Sequence, residues 1–204
     1  MHTTSEALVF DFDGVIADTE PLYWRSWTIL LMPLGVSLSW EEYCRIGRGV
    51  RDYQMLNLLP QVKSDRTLLS SLLRQKASRK EMVRKWSAQQ SPIGSPTIEM
   101  LRSLKSFRLA LVTSSERDNV ESLLRTAGIN DCFQATVFGE DTILHKPDPA
   151  PYILIQKRLG IETGVAFEDS DAGIESASKA GFSTIRVIDP RDLPDIVSKT
   201  LHRR

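Results

Sequence analysis

Apolar residues along the chain follow two rhythms, and the change between them divides it. Short apolar runs at 7–10, 109–112, 135–138, 164–167 and 183–188 each give way to polar or acidic residues. Runs of that length bounded by turn formers predict strands buried on both faces. Alternating with them are stretches of helical periodicity at 97–105, 119–126, 150–159 and 172–180. Gly128, Gly160 and Gly181 stand just past three of these, where a helix end wants a left-handed residue. Strands alternating with helices of this size predict a parallel sheet covered by helices on both faces, an α/β fold.

Residues 19–91 break that alternation. The patterns at 20–34, 40–45, 50–59 and 65–89 are all helical, with no convincing strand among them. The run Ser91-Pro92-Ile93-Gly94-Ser95-Pro96 then reads as a turn-rich connector. The chain thus parses as an α/β core of residues 1–18 and 92–204 with an all-helical insert, 19–91, placed after the first strand. No internal repeat is visible.

Composition narrows the function classes. The 204 residues are 41% hydrophobic and 25% charged, which excludes a disordered chain, a collagen-like repeat and a polytopic membrane protein. Twenty-six basic residues balance 26 acidic ones, without the excess a nucleic-acid binder needs to neutralise phosphates. The basic stretch 74–85 also holds Glu81 and reads as a solvated helix face; the other is the tail His202, Arg203, Arg204. Cys44 and Cys132 lack partner motifs and are expected to be reduced, buried thiols, not a disulfide or a zinc site. Residues 1–6 lack a cationic leader pattern, and no stretch reaches the roughly 20 apolar residues that span a bilayer. The expectation is a soluble cytoplasmic protein, a monomer or weak homodimer, with neither a nucleic-acid nor a membrane partner.

Four segments carry candidate chemistry, each at the end of a predicted strand. In Asp11-Phe12-Asp13-Gly14, alternation along extended backbone sends Asp11 and Asp13 to one side and Phe12 towards the core. Two carboxylates together at a strand end are costly unless a cation or proton serves them, and that end is where parallel α/β sheets bind ligands. A calcium loop is the competing reading of Asp-x-Asp, and it fails because Val15 stands where a third oxygen ligand is required. Thr113-Ser114-Ser115 places hydroxyls and backbone N–H groups where phosphate oxygens can be held; the same residues also serve as helix caps. His145-Lys146-Pro147-Asp148-Pro149 puts an ammonium on a stiff loop, a place a merely solvated lysine could also occupy. Phe167-Glu168-Asp169-Ser170-Asp171 again sets carboxylates at a strand end, an oxygen-only donor set suited to Mg²⁺, with Asp171 expected to cap the helix that follows.

In this order, these motifs make the chain resemble the haloacid dehalogenase-like hydrolase superfamily from about residue 8 to 187. The likeness is to its branch containing phosphoglycolate phosphatase and β-phosphoglucomutase, whose Rossmann-like core carries a small helical cap. The resemblance implies roles. Asp11 would be the nucleophile that becomes an aspartyl-phosphate. Asp13 would be the general acid and then the base, its carbonyl helping to bind Mg²⁺. Thr113 would hold the transferring phosphoryl group with the backbone of Ser114, and Lys146 would bridge nucleophile and phosphate. Glu168 and Asp169, with Asp11 and Asp13, would anchor the metal. The substrate would be a small phosphorylated metabolite. Asp13 separates phosphoryl transfer from dehalogenation, whose halide leaving group needs no proton. Tyr23 stands where the mutases carry a histidine that restrains the general acid, so hydrolysis is favoured over a β-phosphoglucomutase-like isomerisation. Arg48 and Arg51 are the cap residues expected to reach a polar or anionic leaving group, two solvated arginines being the plain alternative. Tyr23, Trp24 and Trp27 read as packing. A catalytically silent binding module on the same fold is the reading from another class.

Overall fold

The computed structural model describes residues 7–48 and 52–202. The chain divides into two compact units, Met1–Asp18 with Ser91–Arg204, and Thr19–Gln90. In the first, strand β1 (Ala7–Phe10) opens the fold. The second unit follows as helices α1 (Glu20–Leu31), α2 (Trp40–Ile46), α3 (Asp52–Leu56), α4 (Pro60–Lys63), α5 (Arg66–Arg74) and α6 (Lys76–Gln89). The first unit then resumes with α7 (Ser95–Ser103), β2 (Arg108–Val112), α8 (Arg117–Ala127), β3 (Ala135–Val137), α9 (Ala150–Leu159), β4 (Val165–Glu168), α10 (Asp171–Lys179), β5 (Ser183–Arg186) and α11 (Leu193–His202).

The sheet is parallel throughout, in the order β3-β2-β1-β4-β5, so β1 is its central strand. Its strands are apolar on both sides because both sides are covered. Leu8, Phe10, Leu109, Leu111, Val165 and Phe167 pack into one layer, while Val9, Ala110, Val112 and Ala166 pack into the opposite one, as the two-residue period requires. Phe10 stacks on Phe167 across the β1–β4 pair, ring centroids 4.9 Å apart, an arrangement worth about 1 kcal/mol beyond its buried area. Left-handed glycines close α8 at Gly128 and α9 at Gly160, and Gly181 follows α10 with positive φ. The two chain passages at the edge of this unit lie side by side: Asp18 N donates to Pro92 O at 2.9 Å.

The helical unit has its own core, in which Trp27, Leu31, Tyr43, Met55, Leu56, Val62, Leu69 and Leu72 are buried. The long pattern at 65–89 is two helices, because the chain turns at Gln75, the C-cap of α5. The basic face expected at 74–85 is solvated at Arg84, which pairs with Glu81, but not at Arg79. Arg79 is turned inward and is 7% exposed, its guanidinium 4.1 Å from the Trp27 ring and its Nη1 2.5 Å from Asp52. Nearby, the Tyr43 hydroxyl donates to buried Glu20 at 2.6 Å. Tyr23 and Trp24 pack against the same core, and Trp24 Nε1 donates to Leu38 O at 2.9 Å.

Two further expectations are corrected. Cys44 is exposed and Cys132 half-buried, both as free thiols. Helix α2 turns Tyr43 and Ile46 inward, and Cys44, about 100° round the helix from Tyr43, falls on the exposed side. The cap of α10 is Ser170, whose side chain accepts from Gly173 N at 3.1 Å, while Asp171 is the first helical residue and pairs with Arg186. The C-terminal helix α11 packs Leu193 and Val197 against the core; its apolar positions alternate with enough charge to read as tail. Among the described residues, no helix is long and apolar enough to cross a membrane.

Candidate active site

The C-terminal ends of β1, β2 and β4 deliver the candidate residues to one edge of the sheet. Asp11 directly follows β1 and stays in register, its N–H donating to Phe167 O at 3.0 Å. The chain then turns tightly through residues 12–17: Ile16 N and Ala17 N both donate to Phe12 O, which sinks Phe12, Val15 and Ile16 into the core and turns Asp13 outward. Gly14 makes this possible twice over. Its φ of +75° favours glycine, and a Cβ there would lie 2.4 Å from Asp169 Oδ2. The β1 loop and the β4 tip therefore touch only because residue 14 has no side chain.

Lys146 is the hub. From the loop before α9, its Nζ donates to Asp11 Oδ1 at 2.8 Å and to Val112 O at 2.9 Å, and sits 2.6 Å from Glu168 Oε1. Those three acceptors match the three N–H donors of an ammonium, and the side chain is only 6% exposed. Bridging to a phosphate would require Nζ to release one of them. Without release, its effect on an incoming phosphate is through charge at short range. Asp11 is 7% exposed and Glu168 fully buried. Lys146 therefore faces two carboxylates, and the buried trio carries a surplus negative charge when both are ionised.

The electrostatics follow from that surplus. Burial pushes the Asp11 carboxyl up to about 7, against the lowering effect of Lys146 and with a further rise from Glu168. Burial raises Glu168 as well. Despite the burial, the two anions around Lys146 hold its ammonium above the ordinary lysine value. Oxygens of Asp11, Glu168 and Asp169 lie within 4.8 Å of one another. Glu168 Oε1 accepts from both Lys146 and the Tyr152 hydroxyl, whereas Oε2 is buried with no hydrogen-bond partner among the described residues. A Cβ on Gly173 would approach that oxygen to 1.9 Å, so glycine at the start of α10 makes room for it.

Thr113 is buried at the end of β2, held by its N–H donating to Val137 O at 2.9 Å. Its Oγ1 accepts from Ser115 N at 3.0 Å and keeps a proton to donate. Ser114 is exposed at the same tip. Ser115 Oγ donates to Asp13 Oδ2 at 2.5 Å, joining the β2 tip to the β1 loop. Asp13 lies outside the carboxylate group of Asp11, Glu168 and Asp169. Arg48 is half-buried in the helical unit, its N–H donating to Tyr43 O at 3.1 Å, and Arg51 lies outside the described residues. Sequence reasoning gave Ser115 and Gly173 no role beyond membership of their motifs, and missed Tyr152. Ser115 carried a signal, the third hydroxyl of its run; Tyr152 carried none, since an aromatic on an apolar helix face reads as core.

A buried lysine between carboxylates thus lies beside an acidic cluster and hydroxyls at the tips of a parallel sheet, on a Rossmann-like fold. The model of the haloacid dehalogenase-like hydrolases matches residues 8–187, and the chain belongs to that family. It is 32% identical over 182 residues to the phosphorylated carbohydrates phosphatase of Thermotoga maritima, covering 88% of this chain and 83% of that protein. It is 29% identical over 199 residues to the fructose-1-phosphate phosphatase YqaB of Escherichia coli, covering 92% and 98%. Among solved structures, CbbY from Rhodobacter sphaeroides in complex with phosphate aligns with a TM-score of 0.71 at 25% identity, over 89% of this chain and 85% of that one. A β-phosphoglucomutase from Clostridium difficile shares the fold, with a TM-score of 0.73 at 18% identity over 98% of both chains.

Proposed function

We propose that the protein is a Mg²⁺-dependent phosphatase of small phosphorylated carbohydrates that works through an aspartyl-phosphate on Asp11. The observation that carries this reading is Lys146 seated at 2.8 Å on Asp11 within an acidic cluster that holds more negative than positive charge. The donor set fits a hard cation: it offers only oxygens, and one of them, Glu168 Oε2, is buried without a protein partner. Asp11, Glu168, Asp169 and the carbonyl of Asp13 would hold Mg²⁺, which supplies positive charge against the phosphate oxygens.

The chain's own residues do the rest. Ionised Asp11 attacks phosphorus as the ester P–O bond breaks, and Asp13 gives a proton to the departing alcohol oxygen. A water then attacks the phosphorus of the aspartyl-phosphate, Asp13 takes its proton, and inorganic phosphate leaves with the Asp11 carboxylate restored. The covalent step divides one difficult displacement into two. Thr113, with a proton to donate, and the backbone of Ser114 steady the transferring group. Lys146 fixes the direction of Asp11 and offsets its charge. Ser115 holds Asp13 by the bond to Oδ2.

Sugar phosphates are the favoured substrates because the relatives at 32% and 29% identity are named phosphatases of phosphorylated carbohydrates and of fructose 1-phosphate. Arg48 and Arg51 are assigned to the leaving group. Tyr23, with no imidazole to restrain the general acid, favours hydrolysis over isomerisation. The test is release of phosphate from p-nitrophenyl phosphate and from a panel including fructose 1-phosphate, with and without EDTA. Asp11→Asn should lower turnover at least about 10³-fold with the fold retained. Near-normal turnover by that variant overturns the mechanism, and isomerised sugar phosphate in place of free phosphate assigns the chain to the mutases.

A further inference from the structure

Tyr152 stands within hydrogen-bond reach of the site, yet neither the proposed mechanism nor any motif uses it. It lies in the first turn of α9, five residues after Pro147, and is completely buried. Its ring packs in the layer of Val9, Val112, Ala166 and Ala177, with the Phe182 ring 5.3 Å away at 58°. A tyrosine in so apolar a layer keeps its hydroxyl only if the oxygen meets a partner. Here the hydroxyl donates to Glu168 Oε1 at 2.5 Å, and Lys146 Nζ lies over the same ring at 5.6 Å.

The two donors on Glu168 Oε1 differ in kind. Lys146 brings a charge and shares it with Asp11. Tyr152 brings a neutral O–H from a fully buried ring. A neutral donor stabilises the carboxylate without cancelling its charge. It also fixes rotation: with Oε1 tied to two groups on separate elements, Oε2 is held in one place, against Gly173 and without a protein partner.

We propose that Tyr152 is a positioning residue for the metal, orienting Glu168 so that its second oxygen faces the cation. This rests on the metal reading given above, and the experiment separates the two. Mn²⁺ binding to the full-length protein, stripped of metal with EDTA and then desalted, is measured by isothermal titration calorimetry without substrate, for wild type, Tyr152→Phe and Phe182→Leu. Tyr152→Phe removes one oxygen and leaves the ring. Its dissociation constant for Mn²⁺ should rise about 10-fold or more, the size expected when a group supporting a metal ligand is lost. The Mg²⁺ concentration giving half-maximal phosphatase activity should rise by a similar factor, with KM for the phosphate ester at saturating Mg²⁺ changed less than about threefold. Phe182→Leu disturbs only the packing of the ring; it should lower the melting temperature and leave Mn²⁺ affinity within about twofold. A folded Tyr152→Phe that binds Mn²⁺ as the wild type does overturns the inference alone. Equal weakening by Phe182→Leu also overturns it, by making the effect one of packing. A wild-type protein that binds no Mn²⁺ overturns the metal reading and this inference with it.

Discussion

Both units of the molecule bury charge, and they do so in opposite ways. In the helical unit, Arg79 lies against the Trp27 ring with Asp52 as counter-ion and Ser26 Oγ accepting from its Nε at 3.2 Å. That cation meets a carboxylate, an aromatic face and a hydroxyl within the packing of its own unit, with Glu20 and Tyr43 beside it. At the strand tips of the α/β unit, Lys146 meets two anions, and Glu168 keeps a buried oxygen without a partner. A buried ion pair is often no better for stability than apolar packing, so one set among the aromatic side chains of its own core reads as architecture. An unbalanced cluster is worse than neutral in isolation, and its imbalance is relieved when a cation arrives. The contrast teaches that burial of charge alone does not mark a site; carboxylates gathered at strand tips around a single ammonium do.

The sharpest way to break that contrast is to remove each cation in turn. Lys146→Met should lower kcat/KM about 10²- to 10³-fold, the loss typical of one preorganised electrostatic group. It should also destabilise the metal-free protein by roughly 3–5 kcal/mol at pH 8, because two buried carboxylates then face each other. That loss should shrink on acidification towards pH 5, as either carboxylate takes up a proton. Thermal melts followed by circular dichroism, with activity on p-nitrophenyl phosphate, measure both. Arg79→Met should destabilise the fold by roughly 2–3 kcal/mol, less than a fully buried pair because the Asp52 side chain is 34% exposed and can be hydrated. Its turnover of p-nitrophenyl phosphate should stay within about threefold of wild type. If the two variants lose activity alike, the division between architecture and site fails.

A subtler probe uses the sign of the Asp11 shift. The folded protein holds the Asp11 proton up to about pH 7, whereas an unfolded aspartate releases it near 3.8. The folded state therefore binds the proton more tightly, and wild-type stability falls as pH rises from about 4 through 7. Asparagine carries no charge at any pH. Without divalent cation, Asp11→Asn should melt higher than wild type by a few degrees at pH 8, and the gap should close towards pH 4. A gap of constant size from pH 4 to pH 8 would show that charge is not its cause.

The sequence carried the fold further than the site. Apolar runs and capping glycines marked the strands and three of the helix ends, because burial on both faces leaves a local trace. The division of 65–89 at Gln75 was invisible, since both halves keep helical periodicity. Arg79 read as solvated because a charge run shows no sign of which member turns inward. At the site, Asp11, Asp13, Glu168 and Asp169 were legible as carboxylates at strand ends. The pairing of Lys146 with Asp11 spans 135 positions and entered only through the family resemblance. Tyr152 was hidden for a similar reason: its hydroxyl serves Glu168 on a different element.

The bond from Asp18 N to Pro92 O sets the exit and return of the inserted helices next to each other. An insert whose two ends leave its host at neighbouring points resembles a cassette. Its 72 residues, Thr19 to Gln90, lie outside the connectivity of the sheet, which a short turn from Asp18 to Ser91 would preserve. A helical set that departs and rejoins at one place can change in length or content without rerouting the strands.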